Sequence, residues 1–161
     1  MPATTRRSAP SSPAKLLAGC IARYDPSVAS LARAARAAMR KRFPTALELV
    51  YDNYQFLAIG YSASERASDC IASLAISPKG VALSFYYGST LPDPEGRLQG
   101  TGNQNRFVRL AGASTLAEPA VAALLRSATT KARTPLPASG RGRTIIKSVS
   151  VKQRPRRSAA R

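Results

Sequence analysis

The sequence predicts an α+β fold, in which an antiparallel sheet of about five strands carries helices packed on it, mainly on one face. Three observations lead to this prediction. Apolar residues follow helical spacing up to Pro44, alternate with a period of two between Leu47 and Leu110, and return to helical spacing after Pro119. The 161 residues are enough for one domain with a buried core.

Prolines mark where the helices begin. Ser12-Pro13 and Asp25-Pro26 each place a capping residue before a proline that suits the first helical position. We therefore expect one helix over residues 14–23 and a second over residues 26–42. Pro119 opens a third helix with apolar residues at helical spacing.

Between the second and third helices, five segments alternate in the manner of strands. A Ser-Pro-Lys-Gly turn joins the third to the fourth, and a loop rich in Gly, Pro and Asp leads to the fifth. The segments begin near Leu47, Gln55, Cys70, Val81 and Arg106.

The net charge of +17 is unevenly distributed. Residues 1–13 carry +2 and are expected to be a disordered basic N-terminus, whereas the domain over residues 14–130 carries +5. Residues 131–161 carry +10 with no acid, and their proline, glycine and like charges predict a basic, largely disordered tail. Within it, residues 144–151 are β-branched and either add an edge strand or remain part of the tail.

The sequence contains no histidine, which excludes a Ser-His-Asp triad, a Cys-His pair and a two-histidine zinc site. Cys20 and Cys70 are too few for a disulfide framework and are expected to be buried and reduced, as in a cytoplasmic protein. No run approaches the roughly 20 apolar residues of a membrane span. We therefore expect no enzyme, cofactor or metal site and no membrane partner.

Three segments resemble the YdhG-like family of small bacterial domains of unknown function. They are residues 43–53 (FPTALELVYDN), the G-x-x-L-x-D-P…L-x-G-x-G loop over residues 88–102, and residues 106–110 (RFVRL). The resemblance spans residues 14–130 and implies a compact α+β domain, with frataxin-like iron handling in one related branch. Asn103 stands where relatives commonly carry Lys and Phe107 where many carry His, which weakens any anion-binding or proton-transfer role. Iron handling is the least favoured function, because it needs several oxygen ligands together and the chain has only eight acids, which are scattered.

Aromatic residues concentrate in residues 51–61 and 85–87. Because Phe85 and Tyr86 must face opposite sides of a strand, both sheet faces carry aromatic surface. This surface is either core covered by a helix, a dimer interface or a pocket. The first functional hypothesis is a non-enzymatic module, monomer or homodimer, that binds a small molecule or a protein there. Its candidate residues are Tyr51, Asp52, Asn53, Phe56, Phe85, Tyr86, Asn103 and Arg106.

The alternative is a nucleic-acid-associated protein that acts through its tail. Ten cations within residues 131–161 are enough for salt-dependent phosphate contacts without sequence preference, although a solvated tail would look the same. The tail holds no aromatic residue for base stacking. Its candidate contacts are Arg141, Arg143, Lys147, Lys152, Arg154, Arg156 and Arg157.

Overall fold

A computed structural model of the protein describes residues 12–158. The predicted disordered N-terminus therefore lies outside the described residues, except for Ser12 and Pro13. The three helices are α1 (Pro13–Ala22), α2 (Pro26–Arg42) and α3 (Pro119–Lys131). The six strands are β1 (Leu47–Asp52), β2 (Leu57–Ser62), β3 (Cys70–Ser77), β4 (Gly80–Phe85), β5 (Arg106–Arg109) and β6 (Thr144–Val149).

The strands form one sheet in the order β5-β4-β3-β2-β1-β6. Strands β1 to β5 are an antiparallel meander, and β6 lies parallel to β1 at the edge. The predicted α+β class is confirmed. The sheet has one strand more than expected because residues 144–149 join it, which decides between the two alternatives for that segment in favour of the edge strand.

The core lies between the helices and one face of the sheet. Glu48, Val50 and Asp52 of β1 turn towards this side, because Glu48 meets α2 and Asp52 meets α1. The other strands present aliphatic and aromatic side chains to the same side. The largest of them are Leu57, Ile59, Tyr61, Leu74, Ile76, Leu83 and Phe85, all at most 1 % exposed.

The opposite face of the sheet is made mostly of small residues in β2, β3 and β4. Ala58, Ser73 and Ala75 are half-buried there, whereas Gly60 is buried. A Cβ atom at Gly60 would lie 2.5 Å from the Sγ of Cys70, so the close approach of β2 and β3 side chains requires glycine at this position.

The residues after α3, numbered 132–158, are called here the C-terminal segment. Residues 142–154 of this segment follow the sheet edge at β1 instead of leaving the domain. The amides of Gly142, Ser150 and Arg154 donate to the carbonyls of Pro44, Asp52 and Tyr54 at 2.8–2.9 Å. The prediction of a largely disordered tail is therefore wrong for this stretch. Its β-branched residues complete an open strand edge, and the backbone groups on either side are paired as well.

Candidate functional site

Asp52, at the end of β1, anchors the C-terminal segment through a buried ion pair. The side chains of Asp52 and Arg156 are 3 % and 2 % exposed. Arg156 Nη2 donates to Asp52 Oδ1 at 2.8 Å and also to the carbonyl of Asn53. The guanidinium carbon lies 5.8 Å from the Tyr24 ring centroid, and its Nε and Nη1 have no hydrogen-bond acceptor among the described residues. Arg156 is thus a structural residue and not the exposed nucleic-acid contact that was predicted.

The second oxygen of Asp52 is held from α1. The Cys20 thiol donates to Oδ2 at 3.6 Å, and Arg23 Nη1 lies 3.6 Å from the same oxygen. Burial raises the pKa of the Cys20 thiol, and the Asp52 carboxylate raises it further. Cys20 is therefore a protonated donor at neutral pH, not a nucleophile.

Glu48 forms a second buried cluster that joins four elements. Arg36 of α2 binds its two carboxylate oxygens at 2.9 Å each, Tyr61 of β2 donates at 3.0 Å and Thr144 of β6 donates at 2.8 Å. Burial alone would raise the pKa of Glu48, but the hydrogen bond and charge of Arg36, together with the hydrogen bonds of Thr144 and Tyr61, outweigh burial and hold its pKa below the ordinary value. Glu48 is consequently ionised, and it links α2 to β2 and β6, the two strands that pair with β1.

A shallow groove of about 300 Å³ runs between α1 and α2. Ala18, Ile21 and Ala37 form its apolar floor. Arg33 and Arg40 are its exposed cations, and Arg36, already paired with Glu48, stands between them. These arginines share one side of α2 because they are three and four residues apart.

The C-terminal segment places further cations beside α1. Arg157 Nε donates to the carbonyl of Arg23 at 3.3 Å, and Arg23 Nη1 donates to Gln153 Oε1 at 2.7 Å. The Arg154 guanidinium lies 5.8 Å from the ring of Tyr54, which is 44 % exposed.

We call the basic region a set of exposed cations from three places: Arg23, which directly follows α1, the two exposed arginines of the groove, and the cations of residues 141–157. It consists of Arg23, Arg33, Arg40, Arg141, Arg143, Lys147, Lys152, Arg154 and Arg157.

The acids are distributed differently from the cations. Glu48 and Asp52 are buried against Arg36 and Arg156. Each also pairs with one exposed cation of the basic region: Arg40 Nη1 lies 3.8 Å from Glu48 Oε1, and Arg23 Nη1 lies 3.6 Å from Asp52 Oδ2. Asp25 accepts the amide of Ser158 at 3.1 Å. The other five acids lie in the β2–β3 connection and in residues 93–118, namely Glu65, Asp69, Asp93, Glu95 and Glu118. The cations of the basic region therefore have few exposed acids beside them.

The predicted aromatic surface does not form one pocket. Phe85 is a core residue at 1 % exposure, while its neighbour Tyr86 is 52 % exposed. Asp52 points to the helices, whereas Tyr51, the residue before it, points to the opposite face, where Phe56 is 37 % exposed. Successive residues of a strand point to opposite faces of the sheet. Aromatic residues that are neighbours in the sequence, such as Phe85 and Tyr86, therefore do not line one site.

The remaining candidates of that surface lie apart from it. Asn53 is half-buried in the β1–β2 turn, and its carbonyl accepts from Arg156. Asn103 is exposed in the loop before β5. Arg106 donates to the carbonyls of Gly102 and Asn105 at 2.6 and 2.8 Å, so its guanidinium braces that loop.

Sequence reasoning missed Arg23, Arg33, Arg40 and Tyr54. Cations in the last turn of α2 complement the helix dipole whatever else they bind, and no local pattern indicates that Tyr54 meets Arg154. The nearest signal was the crowding of cations in α2 itself.

Within residues 12–158, no three His, Cys, Asp or Glu side chains gather as a metal site. No helix in this range is both long and apolar enough to cross a membrane.

Comparison with family models, curated proteins and solved structures finds no match for this chain. The resemblance to the YdhG-like family stays a prediction.

Replacing Arg156 by Met is expected to destabilise the protein by about 3–5 kcal/mol, because Asp52 loses its buried partner and keeps its charge. Urea denaturation followed by circular dichroism measures the change. Lys152→Met is the matched control, since Lys152 is exposed in the same segment. The double change Asp52→Asn with Arg156→Met should recover part of the loss; equal stability of the Arg156 and Lys152 variants would contradict the role of the pair.

The lowered pKa of Glu48 predicts acid sensitivity. A carboxyl group whose pKa is lower in the folded than in the unfolded state stabilises fully above its unfolded pKa, and this contribution is lost as the pH falls through the folded pKa. Unfolding free energies measured from about pH 6 down to about pH 3 should therefore decline more steeply for the wild type than for Glu48→Gln. Parallel profiles would show that Glu48 does not drive the decline.

Proposed function

We propose that the protein binds the sugar–phosphate backbone of single-stranded nucleic acid through the basic region, without sequence preference. The observation that supports this most is the separation of charge: among the described residues, seven of the nine cations of the basic region have no carboxylate partner, and only Arg23 and Arg40 are paired with an acid. Cations that are not neutralised by nearby acids pair with phosphates and displace the counterions condensed on a nucleic acid, and the release of those counterions drives binding.

The groove between α1 and α2 offers a path for a phosphate chain. Arg33 and Arg40 stand along it, and a guanidinium fork suits phosphate oxygens. Arg40 is 3.8 Å from Glu48 Oε1, whereas Arg33 has no acid partner among the described residues, so Arg33 is the main phosphate contact of this path. Arg36 remains bound to Glu48, so it stiffens the groove rather than contacting a ligand.

Tyr54 and Phe56 favour a single strand over a duplex. Both rings are more than a third exposed, at 44 % and 37 %, and they lie in and beside the β1–β2 turn. Arg154 covers the Tyr54 ring at 5.8 Å, so a cation and a stacking surface occur together. Unpaired bases stack on exposed aromatic rings, whereas paired bases are shielded inside the duplex.

Removing the C-terminal segment would not test this proposal, because the truncated chain would also lose β6 and the partner of Asp52. Exposed cations must be neutralised by substitution in the full chain instead. The test variant is Arg33→Gln with Arg154→Gln, one from each part of the basic region. The matched control is Arg66→Gln with Arg109→Gln, two exposed arginines outside it.

Fluorescence anisotropy with a labelled single-stranded oligonucleotide, repeated across salt concentrations, measures the effect. The slope of log K against log salt should shrink by about 1.4 in the test variant, since each contact to a single strand contributes about 0.7. The control variant should bind as the wild type does, and duplex competitor should displace the probe less well than single strand. Equal losses in the two double variants, or no salt-dependent binding at all, would refute the proposal.

A further inference from the structure

A cleft of about 260 Å³ lies where β3 begins and β4 ends, beside the C-terminal end of α3. It shares no residue with the basic region. Its apolar wall is formed by Ile71, Phe85, Leu91 and Ala128. Ile71 and Phe85 are 5 % and 1 % exposed and belong to the core, so this wall is rigid and already formed.

Two cations and one acid line the same cleft. Lys131 Nζ donates to the carbonyl of Thr90, and the guanidinium of Arg133 lies 5.8 Å from the Tyr87 ring centroid. Asp69 accepts a hydrogen bond from Ser64 at 2.6 Å. Among the described residues no ion pair joins Asp69 to either cation, so the lining carries a surplus positive charge beside its apolar wall.

We propose that this cleft binds a small carboxylic acid with a flat apolar body. The body lies against Phe85 and Ile71, and the carboxylate meets Arg133 and Lys131. The volume is near the lower limit of ligand pockets, which usually start at about 300 Å³, and therefore limits the body to about one ring. A guanidinium presents two parallel N–H groups to a carboxylate, which a neutral amide matches poorly.

Binding in the cleft is non-covalent. Cys70 contributes to the lining, but burial raises the pKa of its thiol to about 11. At neutral pH the sulfur is protonated and is a poor nucleophile. A bound acid therefore leaves unchanged, as in a sensor or carrier.

Chemical-shift titration of the full chain with benzoate, phenylacetate and benzamide tests the site. Saturable shifts from residues of the cleft are expected for the two carboxylates, with benzamide weaker. Arg133→Gln should weaken benzoate binding at least about fivefold, since it removes a charge-assisted hydrogen bond. Arg126→Gln is the matched control, because Arg126 is exposed on α3 outside the lining.

A second variant tests the apolar wall. Ala128→Phe fills the cleft and should abolish the titration, while the dispersion of the remaining signals shows that it folds. If that variant does not fold, the comparison of Arg133→Gln with Arg126→Gln decides alone. Equal affinity for benzoate and benzamide, equal behaviour of the two arginine variants, or no saturable shift with either carboxylate would overturn the proposal.

Discussion

The ion pair between Asp52 and Arg156 joins parts of the chain that are 104 residues apart, and most of the basic region depends on it. Both side chains are almost fully buried, so neither tolerates the loss of the other. The pair sits where β1 ends, close to Tyr24 and the C-terminal end of α1. It therefore fixes the last described residues against α1, and β6 is held between this anchor and the Glu48 cluster.

The Glu48 cluster secures the beginning of β6 against the beginning of β1. Thr144 starts β6 and donates to Glu48, which Arg36 binds from α2. Two of the eight acids are thus buried, and each is shared between one arginine inside the protein and one exposed cation of the basic region. The positive charge is therefore concentrated on one part of the surface. Cations of α2 and of the C-terminal segment lie beside α1, while five of the eight acids lie elsewhere.

Local patterns in the sequence predicted much of the fold. The bounds of α2 agree with its proline start and its apolar spacing, and the β3 and β4 segments follow from alternation around the Ser77–Gly80 turn. The position of β6 remained open, because a short β-branched segment has no local signal for its partner strand. Pairing with β1 depends on a free edge that exists only after the meander has formed.

The candidate site was much less predictable. Arg156 stands next to Arg157 in the sequence, and only the fold decides that the first is buried and the second exposed. The contact of Arg154 with Tyr54, which supplies the stacking surface that the tail itself lacks, arises from the same docking. Such contacts depend on which charged residue is buried beside an oppositely charged one. The spacing of apolar residues along the sequence does not indicate which residue that is.

Residue-resolved hydrogen exchange of three backbone amides tests the docking of the C-terminal segment most directly. The amides of Gly142, Ser150 and Arg154 donate to carbonyls at or beside β1, so they should exchange far more slowly than an unstructured chain. Arg156→Met should speed the exchange of Ser150 and Arg154 more than that of a core amide in β3. Exchange of all three at the rate of a free peptide in the wild type would contradict the docked segment and the basic region built on it.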